Sequence, residues 1–127
     1  MKLLVWAMIG GALGSGARHA VNVGFGRWLG TAAFPWWTLF VNIVGCMLMG
    51  VLVEALALKL KGSPELRTFL ATGVLGGFTT FSAFSLDVAF LMGRNEHLLA
   101  GLYLAASVVA TIAAFYLGLG VMRWLLT

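Results

Sequence analysis

The groups in this chain that could do chemistry are mostly neutral hydrogen-bond donors, and they fall into two clusters. Thr79, Thr80, Ser82 and Ser85 sit with Phe81 and Phe84 in a segment opened by Gly73, Gly76 and Gly77. Tyr103, Ser107 and Thr111 follow at i, i+4 and i+8. At about 3.6 residues per turn they form one stripe, drifting about 40° per step. Such a ladder of hydroxyls could serve a hydrated or partly hydrated ion. Ser and Thr in membrane helices also often bond back to their own i−4 carbonyls, the plainer alternative. Phe81 and Phe84 share a helix face. A ring edge is electropositive, so two edges can offer an anion a dry, weakly attractive constriction; lipid-facing or core bulk is the ordinary role of such a pair. Asn42 either glues helices together through its amide or turns its NH₂ toward an anion.

Other chemistries find little support. His19 and His97 are isolated, and no Cys/His/Asp cluster has metal-ligand spacing. No nucleophile, base and orienting group can be read together, so the chain is not expected to be an enzyme. Gly11-x-x-Gly14-x-Gly16 has a phosphate-loop look, but no strand precedes it and no Lys-Ser/Thr follows. Glu54 and Asp87 lie near span ends, where interface exposure is the simple expectation. Asp87 could instead partner Arg18 or Arg94, or cap a broken helix. A cation pore would want carbonyl or carboxylate rings, which this pattern does not supply.

The elements that must position these groups are membrane helices. Of 127 residues, 61% are apolar and 9% charged, against about 25% charged in a soluble domain. Residues 3–17, 28–53 and 68–86 carry no charge, and between Arg94 and Arg123 only Glu96 does, with His97 beside it. A span needs about 20 residues, so four fit, near 3–23, 35–58, 66–92 and 98–124, in a single domain over 1–127. An uncleaved first helix suits three further spans better than a signal peptide does. Arg27, Trp28, Gly30 and Thr31 are placed in the first loop, Pro35 at the second helix start, and Ser63-Pro64-Glu65 as a cap and helix start.

Residues 66–92, fully helical, would cover about 40 Å against a core of about 30 Å. The excess fits a break around 76–80. Non-helical backbone is tolerated at that depth only where protein, water or an ion meets the freed groups. Gly10-x-x-x-Gly14 has the spacing for close helix approach, and the lone Cys46 is read as packing. The net charge of +4 comes from basic residues scattered at span ends, which suits lipid headgroups rather than nucleic acid. Four spans put both termini on one side with Lys2, Lys59, Lys61, Arg67 and Arg123, against Arg18, Arg27 and Arg94 opposite. That bias weakly favours cytoplasmic termini. No internal repeat is seen, so inverted pairing would need two copies of the chain.

Three motifs carry a family resemblance: Gly10-Gly-Ala-Leu-Gly14-x-x-x-Arg18, Thr38-Leu-x-Val-Asn42-x-x-Gly45, and Gly76-Gly77-x-Thr79-Thr80-Phe81-Ser82-x-Phe84-Ser85. They resemble the Fluc (CrcB) family of fluoride channels across essentially all four spans. The resemblance implies an all-α, antiparallel, dual-topology homodimer in the bacterial inner membrane, with two fluoride pathways and a central sodium ion. Backbone carbonyls of Gly76 and Thr79 would hold the sodium. Asn42, Phe81, Ser82 and Phe84 would line the fluoride path, and Tyr103, Ser107 and Thr111 match its polar track. Arg18 and Thr38 match further motif positions. Two departures stand out: Ala83 replaces a threonine common in the family, and Asp87 stands where Glu is usual. The function implied is passive, fluoride-selective permeation. The competing expectation, a small four-helix exporter of lipophilic cations, would need an acid in the first span. None is present.

Overall fold

Glycines decide which helices lie side by side. A computed structural model describes residues 1–30 and 32–127, so Thr31, placed in the first loop above, lies outside the described residues. Helix α1 spans Lys2–Leu29. A Cβ at Gly10 would meet the carbonyl oxygen of Phe69, and one at Gly14 that of Val74. The small-x-x-x-small face therefore lets α1 run parallel to the third helical run in near-backbone contact, with Trp6 edge-on to Phe69 at 5.8 Å. Arg27 and Trp28 belong to the last turn of α1 rather than to a loop. The helix is prolonged because Phe25 packs on Trp28 at 6.3 Å and on Phe40 at 5.2 Å.

Helix α2 (Trp36–Ala55) begins directly after Pro35 and continues as a π-helical turn, Leu56–Leu60. Lys61, with φ at 38°, ends it. The third run opens where expected: the Ser63 hydroxyl accepts from Leu66 N at 3.2 Å, and Pro64 starts α3 (Pro64–Arg67). A π-helical stretch, Thr68–Leu75, leads into the short α4 (Gly76–Phe78). Helix α5 (Phe81–Gly93) follows after two extended residues. Asn95, at φ 59°, closes α5 with Glu96 N on Leu91 O at 2.9 Å and Asn95 N on Met92 O at 3.0 Å, a Schellman turn in which Asn takes the left-handed position. Helix α6 (His97–Leu126) completes the chain.

Helices α2 and α6 are also parallel and close. Cβ atoms at Gly50 and Gly118 would meet the carbonyls of Phe115 and Met47 respectively. Glu54, expected at an exposed interface, is 5% exposed and accepts from Arg123 Nε at 2.6 Å; α6 runs far enough to deliver a cation to it. Lys2 lies 3.8 Å from Glu65, so both termini share an end with the 61–63 connection. No strand occurs among the described residues. Three runs, Trp36–Leu60, Pro64–Gly93 and His97–Leu126, are long and apolar enough to cross a membrane. Helix α1 has the length, but its glycines and its polar residues Ser15, Arg18, His19 and Asn22 dilute it.

Candidate functional site

The site is built around the two residues at which the third run stops being helical. Thr79 (φ −82°, ψ 157°) and Thr80 (φ −153°, ψ 124°) are extended. Thr79 still belongs to the turn above, since its N–H and its hydroxyl both donate to Leu75 O at 3.0 Å. Thr80 turns away. Its N–H donates to Asn42 Oδ1 at 2.8 Å, and its carbonyl accepts from Asn42 Nδ2 at 3.0 Å. The carboxamide of α2 thus stands in for a peptide unit and satisfies backbone that would otherwise be orphaned, at about 1–3 kcal/mol per unmet group. The Thr80 hydroxyl accepts from Ala83 N at 3.1 Å and caps α5; it also lies 3.2 Å from Ser82 Oγ.

These redirected donors free two carbonyls. In a continuous helix Gly76 O would take the N–H of Thr80, and Thr79 O that of Ala83. Those N–H groups are bound to Asn42 Oδ1 and Thr80 Oγ1 instead. The carbonyls of Gly77 and Phe78 likewise lose the N–H groups of Phe81 and Ser82, so the four carbonyl oxygens of residues 76–79 are left without their helical partners. That is a donor set suited to an alkali cation.

Beside the interruption lies a cleft of ≈ 230 Å³. Helix α2 gives it Asn42 and Cys46; the interruption and α5 give Thr79, Thr80, Phe81 and Phe84; α6 gives Ser107, Val108 and Thr111. Phe81 is 78% exposed and Phe84 8%, with ring centroids 5.3 Å apart. Phe84 also packs on Tyr103 at 5.1 Å, and Tyr103 is edge-on to Phe34 at 5.4 Å. One Phe is therefore fixed by aromatic packing while the other stands open.

The three hydroxyls of the α6 stripe differ in what they have left to give. Thr111 donates to Ser107 O at 2.6 Å and also lies 3.3 Å from Val108 O, the back-bonding alternative. Tyr103, fully buried, donates to Asp87 Oδ2 at 3.0 Å. Ser107 Oγ is buried with no partner. A buried hydroxyl without a bond costs stability unless something supplies one. It is the donor of the three still available to a guest.

The structure thus brings Asn42, Thr79, Phe81, Phe84, Ser107 and Thr111 around one cleft, and sets Ser82, Tyr103 and Gly76 just off it. Cys46 and Thr80 line it as well. Cys46 is one turn beyond Asn42 on the same face, and Thr80 sits three residues before an amide it caps; both spacings are readable signals. Asp87 neither caps α5 nor pairs with Arg18 or Arg94. It lies well inside α5, where the Tyr103 hydroxyl is within reach, whereas Thr80 is at the helix start. Among the described residues no three His, Cys, Asp or Glu side chains gather to hold a metal.

The family described as CrcB-like protein, Camphor Resistance (CrcB), matches residues 5–119. The chain belongs to the CrcB family. That match takes in the interruption, the cleft and the whole α6 stripe. A CrcB relative from Chelativorans sp. (strain BNC1), named fluoride-specific ion channel FluC, is 53% identical over 126 residues, covering 99% of this chain and 100% of the relative. Proteins of the same name from Rhodospirillum centenum (48% identical, 97% of each chain) and Rhizobium johnstonii (54% identical, 90% of each chain) agree.

Proposed function

We infer that this chain is a fluoride-selective ion channel, a multi-pass membrane protein that catalyses no reaction and lets fluoride leave the cell by passive permeation. The observation that carries the reading is a full-length match to relatives named fluoride-specific ion channels. The cleft supports it, because its lining is neutral, with two phenyl rings and one unpartnered buried hydroxyl. Fluoride is small and strongly hydrated, so a selective path must replace water with close donors. On this reading fluoride meets the remaining N–H of Asn42 and the Ser82 hydroxyl, passes the edges of Phe81 and Phe84, and moves to Ser107 and the stripe of Tyr103 and Thr111. Asn42 also keeps the extended backbone of Thr80 in place. A negative-inside potential drives the anion outward, at about 2.3 kcal/mol per charge per 100 mV.

Two copies, inserted antiparallel in a bacterial inner membrane with four spans each, would complete the channel. The open ring of Phe81 beside the cleft and the weak charge bias between the two ends support such a pair. Carbonyls of Gly76 and Thr79 at the mid-membrane interruptions would hold a sodium ion, whose charge would raise the potential felt by a passing anion. The cation-exporter alternative gains nothing: α1 has no acid, and the buried Glu54 is already paired with Arg123.

The test is efflux from liposomes followed with a fluoride electrode. Fluoride should leave and chloride should not, with no proton gradient imposed. Phe81→Ala and Asn42→Ala should each cut the fluoride rate by at least about tenfold, the kinetic equivalent of 1.4 kcal/mol, with the dimer retained on sizing. Unchanged rates in both would discard this path.

A further inference from the structure

Away from the cleft, a large cavity opens between the end of α1 and the start of α2. It holds ≈ 400 Å³ and is lined by Phe25, Trp28 and Leu29 from one helix and by Trp36, Phe40 and Ile43 from the other. A second hollow of ≈ 310 Å³ continues it along α1, sharing Phe25, Trp28 and Phe40 and adding Gly24. The groove descends about two helical turns along α2, roughly 10 Å, from a rim where Trp28 is 80% exposed and Trp36 48%. Paired tryptophans mark the level of the headgroups. A Cβ at Gly24 would meet nothing within 4 Å, so no packing within the chain calls for this glycine. A helical glycine costs about 1 kcal/mol relative to alanine, and here its effect is to widen the groove.

The charge at the rim selects the occupant. Arg27, in the last turn of α1, flanks the groove three residues after Gly24 without lining it; it is exposed, and the ion pairs among the described residues, Lys2–Glu65 and Glu54–Arg123, leave it out. A second copy inserted antiparallel would bring its basic end, with Lys59, Lys61 and Arg67, to this level. Repulsion disfavours that cover. We propose that the groove between α1 and α2 is a binding site for one anionic phospholipid, its acyl chain against Phe25, Phe40 and Ile43 and its phosphate beside Arg27.

The experiment uses the reconstituted full chain and its own tryptophan fluorescence. Vesicles contain either dibrominated phosphatidylglycerol or dibrominated phosphatidylcholine, each diluted into unbrominated lipid, so that bromine quenches only nearby tryptophans. Phosphatidylglycerol should quench with about fivefold higher apparent affinity, which corresponds to the roughly 1 kcal/mol of one cation near anionic lipid. The preference should shrink in 1 M salt. It should fall to about onefold in Arg27→Gln, while Gly24→Leu should reduce quenching by both lipids by filling the groove. Trp28→Phe should remove most of the preferential signal. Fluoride efflux should persist in Arg27→Gln, since Arg27 does not line the cleft. Equal quenching by the two lipids, or a preference that survives Arg27→Gln, overturns the proposal; Arg27→Gln is a surface change, so this arm holds even if Gly24→Leu does not fold. Disulfide formation between copies in a Trp28→Cys/Lys59→Cys variant on a Cys46→Ala background would show protein, not lipid, over the groove and also overturn it.

Discussion

Three hydroxyls one turn apart on α6 have unequal prospects, because each is either engaged or free. Ser107 Oγ is buried and unpartnered, so Ser107→Ala removes no bond from the protein. Thermal stability should hold or rise, by up to the about 1–3 kcal/mol that an unmet buried group costs, while fluoride efflux falls severalfold. Thr111 already gives its proton to the Ser107 carbonyl, so Thr111→Val should slow efflux less than Ser107→Ala does. Parallel melting and liposome-efflux measurements on the two variants decide it; a larger loss for Thr111→Val would show that the back-bonded hydroxyl, not the free one, meets the ion. Asn42 illustrates the same point from the other side. Its amide is divided between a structural clamp on Thr80 and one N–H left over, so its two readings, glue and donor, are compatible.

At the scale of elements, contact between helix backbones sets the architecture, and it concentrates on particular glycines. Gly14 faces the carbonyl of Val74, whereas a Cβ at Gly16 meets nothing within 4 Å. Gly14→Ala should therefore force α1 off the third run and lower the melting temperature sharply, by an amount in the about 1–3 kcal/mol range of overpacking. Gly16→Ala should be neutral or add up to about 1 kcal/mol through helix propensity. Circular-dichroism melts in detergent separate these outcomes, and equal effects would mean that α1 does not pack as described. The same contacts position the site. Helix α1 holds the segment before the interruption, the α2–α6 pair brings Asn42 opposite Ser107, and Thr80 is held between them.

For the molecule as a whole, the freed carbonyls of Gly76 and Thr79 lead to a prediction about ions. If they hold sodium between two copies, exchanging sodium for N-methylglucamine on both sides should weaken the dimer and slow fluoride efflux together. Adding sodium back should restore both, and stabilisation by a bound ion should rise with its concentration. Dimer sizing and electrode efflux across a sodium titration give the readout; indifference of both to sodium would remove the ion from the mechanism. The sodium dependence concerns the pair proposed above, because one chain would contribute only its own two carbonyls to such a site.

The sequence alone determined the apolar character of the chain and its long helical runs. Those follow from local properties: charge-free lengths, capping patterns such as Ser63-Pro64, and the excess length of residues 66–92. The Gly10 and Gly14 face was legible for the same reason, since i and i+4 share a side. Tertiary structure decided which donors are free. Whether Ser107 or Thr111 keeps its proton, whether Asp87 answers an arginine or Tyr103, and whether Asn42 binds backbone all depend on partners up to dozens of residues away. Only packing brings such partners within about 3 Å, the hydrogen-bond distance.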